Sequence, residues 1–123
     1  MTRRRSLLVG CAAAGVLLAG LGLSRAQERE AAHPDTQKLL FENMFVRAWD
    51  IHVPPGVSEP KHSHGRGITV AMSDYDNETK TVPEGKIARS HTSFGEVKWA
   101  EPVTHEARNT GSTEQHVVRI ELK

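Results

Sequence analysis

From Lys38 onward the chain alternates short runs of β-forming residues with turn residues and never settles into a helical period. The runs are LLFEN, MFVRAWDIHV, GITVAMSD, ETKTV, KIARSH, EVKWA, VTHEARN and HVVRIELK. They are separated by Pro54-Pro55-Gly56, Asp74 to Asn77, Pro83-Glu84-Gly85, Ser93 to Gly95 and Asn109-Thr110-Gly111. Short strands at this regular spacing, punctuated by Gly, Pro and Asn, predict an all-β sandwich or barrel. In the last run His116, Val118, Ile120 and Leu122 share one face, and Arg119 and Glu121 share the other. That is the alternation of a half-buried strand, with the aliphatic face expected inward.

Upstream the pattern changes. Three arginines, an apolar run from Leu7 to Leu23 and then Ser24-Arg25-Ala26 have the layout of an export signal cut after Ala26. This predicts a signal helix over 1–26 and an exported, periplasmic protein with no membrane association after cleavage. Two alternatives stand beside it. The apolar run approaches the ~18 to 20 residues that span a bilayer, so an uncleaved signal would be a membrane anchor; and Leu8-Val9-Gly10-Cys11 resembles a lipidation site. Arg3-Arg4 ahead of the run also resembles a twin-arginine signal, a route for folded proteins. Residues 27–37 are polar, contain Pro34 and have no apolar period, so they read as a flexible lead-in to one domain over 38–123.

Charge and cysteine content then narrow the function classes. The signal carries four arginines and no acid, so the mature chain keeps 12 Lys and Arg against 15 Asp and Glu. No basic run with interleaved aromatics remains, which excludes a nucleic-acid footprint. Cys11 is the only cysteine and leaves with the signal, which excludes disulfides, thiolate metal ligands and cysteine nucleophiles.

The candidate chemistry lies in GVSEPKHSHGRG, Gly56 to Gly67. On a strand, residues i and i+2 point the same way, so His62 and His64 can direct their imidazoles at one point. Continuing that parity puts Ile68, Val70 and Met72 on the same face, so the pair is expected at the mouth of an apolar cavity. A second segment, GEVKWAEPVTHEARNTG, places His105 early in a strand, with Asn109 four residues on.

These two segments resemble the cupin family, small β-barrels whose first motif runs G-x5-H-x-H-x3-4-E-x6-G and whose second runs G-x5-P-x-G-x2-H-x3-N. Gly56, His62 and His64 match the first; Gly95, Pro102, His105 and Asn109 match the second in order, with the glycine-to-histidine distance one residue shorter. The motif glutamate should fall at Ile68 or Thr69 and is missing. The glycine that follows is replaced by the Asp74-to-Asn77 turn, and Thr104 is nearest to the second glycine of the later motif. The resemblance spans about 38–123 and is closest to stand-alone bacterial cupins, among them the type associated with β-alanine degradation. It implies a single-domain jelly-roll β-barrel, a homodimer, and a metal site made of His62, His64 and His105.

Three imidazoles suffice for one divalent transition metal (Fe, Mn, Ni or Zn) and leave coordination positions open. Thiol dioxygenases are similar in using three histidines without the glutamate, so oxygenase-type chemistry is the more specific version of this reading. Neutral ligands leave the ion's charge in place, which favours a small polar or acidic molecule as ligand or substrate. With ordinary histidine pKa values of ~6.5, the metal would be lost steeply on acidification and be gone below about pH 5. The alternative is a metal-free, non-catalytic cupin that binds or senses a small ligand.

The remaining candidates are minor. His52 is expected to be structural or solvated, and His116 a satisfied core histidine. His91 is a lesser candidate as substitute ligand or proton carrier. Arg47 is expected to pair with an acid rather than with a substrate carboxylate. Trp49 and Trp99 are expected in the core, and Tyr75 exposed in a polar turn.

Overall fold

The β-forming runs become nine strands, and their turn residues become the loops between them. A computed structural model of the chain describes residues 34–123; the expected signal, Cys11 and most of the lead-in lie outside the described residues. The strands are β1 (Gln37–Glu42), β2 (Val46–Val53), β3 (Ser58–His64), β4 (Gly67–Ala71), β5 (Tyr75–Thr81), β6 (Ile87–Thr92), β7 (Val97–Ala100), β8 (Val103–Asn109) and β9 (Gln115–Leu122). They form a five-stranded sheet, β1-β2-β9-β4-β7, and a four-stranded sheet, β3-β8-β5-β6. Every pairing is antiparallel. The expected all-β barrel is therefore observed, with no helix among the described residues.

Trp49, Ile51, Val53, Ala71 and Val117 from the larger sheet meet Tyr75 from the smaller one in a buried apolar cluster. Two aromatic expectations reverse here. Tyr75 is buried because β5 begins at Tyr75 rather than after the Asp74-to-Asn77 turn, and its ring closes the core. Trp99 is 55% exposed, because β7 is an edge strand and the ring points out of the barrel, with its indole N–H donating to Glu101 at 2.7 Å.

The inner and outer faces of the larger sheet also differ from the expectation. On β9 the buried residues are Val117, Arg119 and Glu121, while Leu122 is exposed. On β4 Gly67 and Ala71 are buried and Ile68 is exposed, as is Met72 just past its end. Parity is broken between His64 and Gly67, where the chain turns at Gly65-Arg66 and passes from the smaller sheet to the larger one. The outer face consequently carries apolar cross-strand rows, Ala48–Ile120–Ile68–Trp99 and, beside Asp50, Val118–Val70–Val97.

Both motif glycines are explained by backbone conformation. Gly56 and Gly95 have φ of 77° and 81°, a region that side chains other than glycine rarely adopt. Asn109 is also structural. It is fully buried; its amide donates to the carbonyls of Val53 and Thr113 at 2.8 Å each, and its oxygen accepts from the Gly111 N–H at 3.0 Å. Asn109→Ala would take this partner from the buried Val53 carbonyl and from the part-buried Thr113 carbonyl and Gly111 amide, and should cost about 2–3 kcal/mol in denaturant unfolding while β circular dichroism is retained.

The structured region begins slightly before the expected boundary. Gln37 opens β1, its N–H donates to the Pro34 carbonyl at 2.9 Å, and the His52 N–H donates to the Thr36 carbonyl at 2.9 Å. The end of the expected lead-in is thus tied to the barrel, and this brings Thr36 and Gln37 to the interior site.

Candidate metal centre

His62 and His64 lie on β3, and β8 pairs with β3 in a register that sets His105 directly beside His62. All three side chains enter the barrel. The Nε2 atoms of His62 and His64 are 3.0 Å apart, and those of His62 and His105 are 3.1 Å apart. Ligand atoms of all three lie within 4.8 Å of one another.

The other ring nitrogens fix what those Nε2 atoms offer. His62 Nδ1 is 2.7 Å from the Pro60 carbonyl, and His64 Nδ1 is 3.1 Å from the Glu121 carboxylate. Each of those oxygens can only accept, so each Nδ1 carries the proton and each Nε2 presents a lone pair. Two lone pairs facing across 3.0 Å with no proton between them suit a cation. A tetrahedral ion with bonds of about 2.0–2.1 Å to nitrogen separates its ligand atoms by about 3.3 Å, so the donor set and its spacing fit a borderline divalent metal.

Around this trio lie residues that the sequence pattern did not single out. Glu121 accepts from His64, from the Trp49 indole at 3.2 Å and from Arg119 Nε at 3.3 Å, and Arg119 also donates to the Gly65 carbonyl at 2.8 Å. Burial pushes the Glu121 carboxyl up, but the bond from His64, the neighbouring charges and the Trp49 bond outweigh it and hold it below the usual carboxylate range. On the opposite side the Gln37 amide lies 3.2 Å from His62 Nε2 and donates to Glu59 at 3.1 Å, while Thr36 donates to the same Glu59 oxygen. Glu59 is buried as well.

The position of Glu121 bears on the missing motif glutamate. Ile68, one of the two places where it should fall, points outward, but Gly67 pairs with Glu121 on the adjacent β9. A side chain at Gly67 would drive its Cβ to within 1.9 Å of the Ile120 carbonyl oxygen, so glycine is what lets β9 approach here. The carboxylate therefore comes from the neighbouring strand and reaches the back of His64. The signal in the sequence is Arg119-x-Glu121, two opposite charges at strand spacing, which the aliphatic alternation of β9 assigns to the outer face.

Burial lowers His64, an effect only partly opposed by Glu121. Burial, then the charges of His62, His64 and Arg119, lowers His105 to about 3. Steep proton competition near the ordinary histidine pKa is therefore not what this geometry predicts, since His105 is already neutral at pH 5.

The other candidates lie elsewhere. His91 is exposed and paired with Asp76 at 2.9 Å, outside the trio. Arg47 pairs with Glu42 at 3.0 Å, as expected, and its guanidinium stands over the Trp49 ring. His116 is not in the core: on the outer face it pairs with Asp50 at 2.9 Å and stacks on His52. Trp49 is buried as expected, with its indole turned to the site. A groove of about 460 Å³ lined by Glu78, Lys80, Ile87, Glu106 and Arg108 among others does not include the three histidines.

Solved structures with the same architecture include a cupin domain from Bordetella pertussis Tohama I, 28% identical, covering 71% of this chain and 91% of that one with a TM-score of 0.64. The chain has the fold of a small cupin. Other similar structures are a cupin 2 conserved barrel domain protein from Salinispora arenicola (21% identical, 85% and 88% covered, TM-score 0.51) and a double-stranded β-helix protein from Klebsiella pneumoniae (19%, 75% and 83%, TM-score 0.53). No family model and no curated protein matches the chain. Within the cupin fold, the trio occupies the strands that carry the two partial motifs, while the carboxylate behind His64 comes from β9.

Proposed function

We propose that this cupin is exported and holds one divalent transition metal (Fe, Mn, Ni or Zn) on His62, His64 and His105, where it binds or transforms a small polar or acidic molecule. The observation that carries the proposal is the convergence of the Nε2 atoms at 3.0 and 3.1 Å, with the Nδ1 atoms of His62 and His64 committed to oxygen acceptors. An ion bound by three neutral imidazoles keeps open positions and its full charge, so it would attract a carboxylate and acidify bound water, and with iron it would support oxygenase-type chemistry. Glu121 holds the His64 ring in its ligating tautomer. Gln37 links His62 to Glu59, a buried carboxylate that also accepts from Thr36. The signal-like segment over 1–26 supports export and a periplasmic location. A homodimer belongs to the same reading, and the apolar rows on the larger sheet offer surface for it.

The test is metal analysis of the purified protein, together with thermal melts with and without chelator from pH 8 to 5. His64 and His105 are depressed in the metal-free fold, whereas the unfolded chain protonates them near ~6.5. Below that pH the unfolded state binds more protons, so the metal-free protein should lose stability as pH falls from ~6.5 toward the folded His105 value of about 3. A metal displaces no proton from His105 over this range, so the chelator should lower the melting midpoint at pH 8 and still do so at pH 5. Coincident melts at every pH, with no metal in the protein, would instead support the metal-free ligand-binding module that the missing motif glutamate suggests.

A further inference from the structure

We propose a second metal site on the outer face of the larger sheet, made by Asp50, His52 and His116 with Glu114 behind it. Asp50 and His52 are i and i+2 on β2, and His116 is the cross-strand partner of His52 on β9, so two paired strands fix all three positions. The Asp50 carboxylate faces both imidazoles, with one oxygen 2.9 Å from His116 Nε2 and the other 3.2 Å from His52 Nε2. Ligand atoms of the three residues lie within 4.8 Å of one another. A tetrahedral ion with bonds of about 2.0–2.2 Å to nitrogen and oxygen sets these donors about 3.3 Å apart, so replacing the shared protons by one ion needs only small side-chain shifts.

Glu114 completes the arrangement. Its carboxylate is 2.6 Å from His52 Nδ1, so it receives that proton and leaves His52 Nε2 to the metal, the pairing that orients many metal-bound histidines. The His52 and His116 rings stack with centroids 3.9 Å apart, so both stand at the same edge of the carboxylate. The cluster is open to solvent, with side-chain exposures of 25% for Asp50, 29% for His116 and 44% for His52, so an ion reaches it without entering the barrel. Two imidazoles and a carboxylate select zinc, nickel or copper over calcium and magnesium. An ion here would clip β2 to β9 from outside, independently of the interior trio.

The test is equilibrium dialysis of the protein against Zn²⁺, counting ions per chain in the wild type, in Asp50→Asn/His116→Gln and in His62→Ala/His64→Ala. The outer site predicts that Asp50→Asn/His116→Gln binds one ion fewer than the wild type and that His62→Ala/His64→Ala still binds one. Glu114→Gln, which leaves all three ligands in place, should weaken the outer ion about tenfold or more. Equal stoichiometry in the wild type and Asp50→Asn/His116→Gln, both folded by circular dichroism, would overturn the outer site. Failure of the interior centre reads differently: the wild type would then take up one ion, and Asp50→Asn/His116→Gln none.

Discussion

With His62 and His64 both replaced by alanine, the protein should keep its β-type circular dichroism and lose one tightly bound metal ion per chain. The two residues supply two of the three interior donors, and His105 alone cannot chelate. Both rings are buried, so the double variant also leaves the Pro60 carbonyl and the Glu121 carboxylate without those partners, and its melting midpoint should fall even in chelator. Metal content separates the two effects, because destabilisation of a protein that remains folded does not by itself remove an ion. Unchanged metal content in a folded double variant would remove the interior trio as a metal site.

Glu121→Gln should have nearly as large an effect, although Glu121 is outside the ligand set. It keeps the shape of the side chain but removes the negative charge that Arg119, His64 and Trp49 all face. Breaking a buried ion pair from one side typically costs about 3–5 kcal/mol, which for a domain of this size lowers the melting midpoint by on the order of 20 °C. The bond from Arg119 to the Gly65 carbonyl remains and should put the loss toward the lower end. Interior metal affinity should fall by about 10–100-fold, because His64 no longer has a carboxylate to hold its proton on Nδ1. Melting in chelator reads the first effect and zinc titration the second; a midpoint within a few degrees of wild type with unchanged affinity would leave Glu121 without this role.

The barrel and the trio were legible because both rest on local spacing. Turn residues marked the strand ends, and the two-residue repeat of a strand carried His62 and His64 to one side. Their support was illegible because it depends on which face of each strand turns inward. On β9 the aliphatic set Val118 and Ile120 suggested the interior, whereas the interior holds Arg119 and Glu121. A barrel that lodges a polar site inside and carries apolar rows outside inverts the usual hydrophobic signal. The same inversion explains Ile68, Met72 and His116. Tyr75 and Trp99 failed for another reason: their burial depends on where a strand starts and whether it is an edge, neither of which is encoded at the residue itself.

The place of β9 has a kinetic consequence. In the larger sheet the β1–β2 hairpin and the β4–β7 pair are joined by strand pairing only through β9, the last strand to be synthesised among those described. Neither half can be joined until it arrives, and Trp49 must wait for Glu121 across 72 positions of chain. No strand of the smaller sheet pairs with β9, so His62, His64 and His105 can be brought together first, with the Glu121 clamp closing behind His64 afterwards. Such long-range pairing slows folding, and the joining of β9 to both halves is the step expected to limit its rate.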